Sequence, residues 1–138
     1  MVRAFAVNAV VYRLENRKPK FLILQKKEGH WSFIGGGPLK GESAKKTLER
    51  EAMDEAQIDS FEIIPRFKHR MEFSYRYQSI TVFKEVDVYL LKTKQKKIKI
   101  SPEHQAFKWM DYAKARNQLT HENSKIALDK AFNRLKKR

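Results

Sequence analysis

The sequence contains no cysteine. That excludes disulfides, thiolate metal sites and a cysteine nucleophile at once. Proline and glycine are sparse, four and five residues in a chain of 138, so the composition is not that of a low-complexity linker. No apolar run approaches the ~18 residues that cross a bilayer, and no membrane association is expected. The N-terminal stretch MVRAFAVNAVVYR alternates like a strand and has no small-residue cleavage site, so it is not read as a signal peptide. Acidic residues are also scarce, 16 against 30 Lys and Arg, leaving a net charge of +14. Such a surface attracts polyanions, whether nucleic acid, nucleotide phosphates or anionic lipid. The same balance describes a merely well-solvated, lysine-rich protein.

What is present is enough for one folded domain over 1–138. Hydrophobic residues make up 41% and aromatics 12%, which argues against global disorder. A cytoplasmic protein, monomer or homodimer, is the simplest expectation. Residues 3–13 alternate and read as a strand, and Phe21 to Gln25 as a short central one. Four of the five glycines fall in the 13 residues from Trp31 to Ser43, which reads as a shaped loop. Ser43 to about Ile58 is rich in helix formers, with Ala44, Leu48, Ala52 and Ala56 repeating every four residues as a buried stripe. Residues 61–78 read as one strand, with Phe67, His69, Met71, Phe73, Tyr75 and Tyr77 on one face. Residues 80–93 and 105–110 read as further strands. Lysines crowd 92–99 as an edge or loop, and 111–119 and 121–137 read as helices. Strands interrupted and closed by helices predict a three-layer α/β arrangement.

The chemistry concentrates between Gly36 and Ile58. A glycine-rich loop feeds a helix carrying Glu51, Asp54 and Glu55, whose spacings of three and four put them on one face. The apolar stripe through Leu48 and Ala52 borders that face. Two carboxylates ~5 Å apart at an effective dielectric of ~20 repel by about 3 kcal/mol. Arg50 and Lys46 offset part of this, and a hard divalent cation with oxygen ligands offsets more. Acids on a helix are ordinarily a solvated face with i,i+4 partners; the glycine loop immediately upstream and the exact spacing point elsewhere.

That spacing is Gly36, Glu42, then Arg50-Glu51-Ala52-Met53-Asp54-Glu55-Ala56-Gln57-Ile58. It resembles the Nudix box over residues 36–58, entered through Trp31-Ser32-Phe33-Ile34-Gly35-Gly36. The resemblance implies a Nudix-type α/β/α sandwich with a mixed central sheet, and hydrolysis of a nucleoside diphosphate derivative by water with Mg²⁺ or Mn²⁺. By position it implies Glu51 and Glu55 as principal metal ligands, Asp54 as a third, and the Gly36 carbonyl as another. Arg50 would orient the carboxylates and Glu42 would support the cluster or face the substrate. The chain departs from the box at Leu39, where an acid is common, at Asp54, where a glutamate is usual, and at Gln57, where glycine is usual. Glutamine is costly in a left-handed helix cap, so that turn must differ or carry strain.

The tract Ile100 to Trp109 is similar to one in asymmetrically cleaving diadenosine tetraphosphate hydrolases. It implies Glu103 as an acid near the metal or water and His104 as a phosphate contact. The subfamily's lysine before the glycine is replaced by Ile34-Gly35, so a phosphate-binding cation is missing there. Tyr77 at the end of the aromatic stripe, and Tyr89, are candidates to stack on a nucleobase. The lysine run 92–99 and the basic end Arg134, Lys136, Lys137 and Arg138 read as solvated surface or as a funnel for a polyphosphate. Three functions stay open: a dinucleoside polyphosphate hydrolase, an RNA 5′-end pyrophosphohydrolase, and a Nudix-fold module that binds nucleotide or RNA without catalysis.

Overall fold

The computed structural model describes residues 1–137. Its elements are β1 (Val2–Glu15), β2 (Lys18–Lys26), β3 (Trp31–Ser32), β4 (Ile34–Gly36), α1 (Ala44–Ala56), β5 (Glu62–Ile63), β6 (His69–Tyr77), β7 (Ile80–Lys92), β8 (His104–Met110), α2 (Tyr112–Gln118) and α3 (Glu122–Lys136). The sheet is mixed. β1 and β7 run parallel from Val2↔Val82 to Tyr12↔Lys92, and every other pairing is antiparallel. The strand order is β3-β2-β1-β7-β5, with β4 also on β1, β6 on β7 and β8 on β2. No helix among the described residues is long and apolar enough to cross a membrane.

The two-residue period of the central strands sorts the core into two layers. Val7, Ala9, Val11, Leu22, Leu24 and Leu91 face α1, which returns Leu48, Ala52 and Ala56. Ala6, Val10, Tyr12, Phe21, Ile23, Val86, Val88 and Leu90 face the other way, against Ala115 of α2 and Ala127, Leu128 and Ala131 of α3. The result is an α/β/α sandwich. Asp129 ties α2 to α3 by accepting from the Tyr112 hydroxyl and the Arg116 guanidinium.

Two expectations are corrected. Residues 61–78 are not one strand, because Pro65 removes a donor and Arg66 takes a left-handed φ of 61°, separating β5 from β6. The glycine-rich segment is not wholly loop, because Gly35 and Gly36 belong to β4 and pair with Asn8 and Val7. Here glycine serves close approach. A Cβ on Gly35 would lie 1.9 Å from Asn8 Oδ1, and one on Gly36 would lie 2.7 Å from Glu51 Oε2.

Helix α1 is secured at both ends. Ser43 caps its start by accepting from the Lys46 amide. At the other end Gln57 adopts φ 52° and ψ 44°, and Ile58 N–H and Gln57 N–H donate to the Ala52 and Met53 carbonyls. The Gln57-to-Met53 bond is that of the αL cap that glycine usually makes, so the turn keeps its left-handed shape and Gln57 carries the strain. The lysine tract reinforces it. Lys99 N–H donates to Ala56 O, Ser101 N–H to Glu55 O, and the Gln95 amide to Gln57 O.

Because Gln57 is exposed and its side chain is not needed for the cap, Gln57→Gly should raise stability by about 1 kcal/mol. That is a rise of about 3 °C in thermal midpoint for a chain of this size. A melting curve that stays put or falls would show that the turn is not strained.

Candidate active site

The site forms where α1, β4 and the start of β8 meet. Arg50 is its hub. Its Nε donates to Glu42 Oε2 at 2.9 Å, Nη2 to Glu42 Oε1 at 2.9 Å and to the Gly37 carbonyl at 3.0 Å, and Nη1 to Glu51 Oε1. Glu42 also accepts from the Leu39 amide and the Thr47 hydroxyl. These donors, Arg50 first, hold the Glu42 carboxyl down at about 2. Glu42 therefore anchors the arginine rather than facing the substrate.

Glu55 lies one helical turn beyond Glu51, and its side chain is 12% exposed. Its Oε1 accepts the Gly35 amide at 3.4 Å. Burial, then the hydrogen bond and like charge of Glu51, push the Glu55 carboxyl up to about 9. In the absence of a cation Glu55 is the member of the pair that holds its proton to higher pH. Their oxygen-only donor set, with Glu51 lying against the bare Cα of Gly36, suits a hard divalent ion. Glu51 and Glu55 are the carboxylates that α1 brings together there.

Asp54 is not gathered into this pair. Its side chain is 62% exposed and 4.0 Å from the Arg50 guanidinium. Among the described residues, no group of three or more acidic or histidine side chains is preassembled for a metal. One methylene shorter than glutamate, Asp54 stays on the open flank. Glu103 is exposed in the turn before β8, and its backbone carbonyl accepts from Lys27. His104 is corrected from a phosphate contact: it is 3% exposed, and its buried Nε2 lies 4.0 Å from Glu55 Oε1, behind that carboxylate.

A cavity of ≈ 620 Å³ adjoins the carboxylates through Gly35 and Gly36. It opens on the α3 face of the sheet. Phe73 and Tyr75 of β6 and the cations Lys26 and Lys84 line it, with His30 and His121 at 5.7 Å between ring centres. Sequence reasoning named neither lysine. A register shift at Gln25/Lys26 in the β2–β8 ladder accompanies the entry of Lys26. Lys84 pairs across the ladder with Phe73. Burial, and then Lys26, lower its ammonium pKa. The two tyrosines chosen from sequence are misplaced. Tyr77 is 60% exposed at the hairpin tip, beyond the cavity, and Tyr89 packs on the α1 face, the wrong side by strand parity.

A NUDIX domain model matches residues 2–131. The chain belongs to the NUDIX domain family. It is 29% identical over 129 residues to the asymmetrical bis(5′-nucleosyl)-tetraphosphatase of Rattus norvegicus, covering 86% of this chain and 82% of that one. It superposes on a C. elegans Ap4A hydrolase, solved as a binary complex, with a TM-score of 0.82 and 25% identity, covering 96% and 98% of the two chains. The E. coli dihydroneopterin triphosphate pyrophosphohydrolase shares the fold, with a TM-score of 0.77, 20% identity and coverage of 96% and 99%. The protein is accordingly a Nudix pyrophosphohydrolase.

The raised Glu55 carboxyl sets a stability profile. Between about 4.5 and about 9 the unfolded chain has released the Glu55 proton while the folded chain keeps it, so metal-free stability falls as pH rises through that window. Glu55→Gln should remove this slope and be the more stable protein at pH 8. Urea midpoints in chelator at several pH values check this, and parallel slopes for the two proteins would contradict it.

Proposed function

We propose that the protein hydrolyses a dinucleoside polyphosphate, with diadenosine tetraphosphate going to ATP and AMP, in a reaction dependent on Mg²⁺ or Mn²⁺. The observation that carries the reading is the cavity beside the carboxylate pair, which offers two lysines for phosphate and aromatic side chains for a base. The rat and C. elegans relatives named for this activity support it.

Glu51, Glu55 and the Gly36 carbonyl would hold the cation, which supplies charge neutralisation on phosphate oxygens and a more acidic water. Arg50 keeps Glu51 oriented while its own charge is absorbed by Glu42. Lys26 and Lys84 neutralise the polyphosphate chain and so replace the lysine absent at Ile34. Water attacks one phosphorus, the bridging P–O bond breaks, and the leaving phosphate takes the electron pair. The water's proton passes to a carboxylate, Glu55 or the exposed Glu103.

A second reading, removal of pyrophosphate from an RNA 5′ end, is favoured only by the net charge of +14. The basic runs do not line the cavity, and Arg138 lies outside the described residues.

Anion-exchange analysis should show ATP and AMP from diadenosine tetraphosphate, only with metal present. Pyrophosphate from triphosphorylated RNA alone would shift the assignment to the second reading, and no product from either would overturn both substrates. Glu55→Gln should fold normally and lose at least ~100-fold in turnover. Near-normal turnover would remove Glu55 from the chemistry.

A further inference from the structure

His104 is a buried polar side chain with an unused atom. Nδ1 lies 2.9 Å from Ser101 Oγ, whereas Nε2 is enclosed and has no hydrogen-bond partner. The enclosed nitrogen faces Glu55 Oε1 at 4.0 Å, the same oxygen that accepts the Gly35 amide. A buried donor or acceptor left unpaired is destabilising, so this nitrogen asks for a partner. Ser101 is itself fixed: its amide donates to the Glu55 carbonyl, its carbonyl accepts from the His104 amide, and its hydroxyl accepts from the Glu103 amide.

We propose that Ser101 and His104 form a positioning pair for Glu55, in which His104 Nε2–H steers the Glu55 carboxylate into the geometry that holds the cation. The inference rests on the metal-dependent reading above. When Glu55 is ionised, Nε2 must carry the proton to donate to it. Nδ1 is then an acceptor, and Ser101 O–H, free to rotate, supplies the matching donor. Once Nε2–H reaches the Glu55 carboxylate, every partner is satisfied with the histidine neutral. The 4.0 Å separation is longer than a hydrogen bond, and contacts of this kind tighten when an active site is loaded. His104 touches no substrate in this arrangement. It acts through Glu55, as outer-sphere groups do at metal sites.

The amide side chains separate the two ring nitrogens. Glutamine places a donor near the Nε2 position, and asparagine places one near Nδ1. His104→Asn should lower Mn²⁺ affinity by calorimetry, and kcat on diadenosine tetraphosphate, each by about 10–100-fold, with little change in KM. His104→Gln should recover both to within about 3-fold, and Ser101→Ala should fall between. Equal behaviour of the two amides, or a loss confined to KM, would overturn the proposal. Should either His104 variant fail to fold, Ser101→Ala decides alone, and wild-type affinity and kcat in it would be the overturning result. A wild type that binds no Mn²⁺ would overturn both this inference and the metal-dependent reading. A wild type that binds Mn²⁺ without cleaving the dinucleotide would overturn the substrate only, and the affinity series would still decide the role of His104.

Discussion

Two carboxylates one helical turn apart, half sunk beside an apolar stripe, repel each other, and the surrounding structure answers that repulsion. Glu51 and Glu55 would relax apart or swing into solvent if nothing held them. Arg50 takes one oxygen of Glu51 and is itself immobilised by Glu42 and the Gly37 carbonyl. The Gly35 amide takes an oxygen of Glu55. The residual conflict appears as a proton retained on Glu55 up to about 9. Exchange of that proton for a divalent ion is the simplest relief, and it leaves both carboxylates where the fold has put them.

The positive charge of the chain divides into parts with different work. Lys26 and Lys84 reach the cavity from β2 and β7. The lysine-dense tract 92–99 lies instead across the end of α1, where its backbone and Gln95 satisfy carbonyls that the helix leaves unpaired. Cationic side chains are also favoured near the negative end of a helix dipole. Structural use therefore accounts for the tract's position without recourse to a polyanion.

Helix α1 was legible because its signals are local: Ser43 as cap, a four-residue apolar repeat, and acids at fixed spacing. The alternation over residues 3–13 likewise marked β1 as a strand. The cavity was not legible, because β1, β2, β3, β4, β6, β7 and the start of α3 each give it only one to three residues, and no local pattern joins them. Tyr89 illustrates the loss. It is an aromatic in the right strand, but the register Ala9↔Tyr89 puts it among the residues facing α1. Tyr77 sits on the correct face of β6 but too far along it. Gly35 and Gly36 looked like loop glycines because sequence does not reveal that Asn8 and Glu51 occupy the space of their absent side chains.

Gln57 and His104 connect through one segment of chain. A left-handed glutamine at the end of α1 would invite that end to fray, taking Glu55 with it. Residues 95–101 oppose this by donating to the carbonyls of Gln57, Ala56 and Glu55 in turn. The same segment continues into Ser101 and then His104, whose ring closes the space behind the Glu55 carboxylate. Backbone support for the helix and side-chain support for its acid thus arrive together. A glycine at position 57 would lower the strain and leave these contacts in place, so stability and site geometry are separable here even though they share a strand entrance.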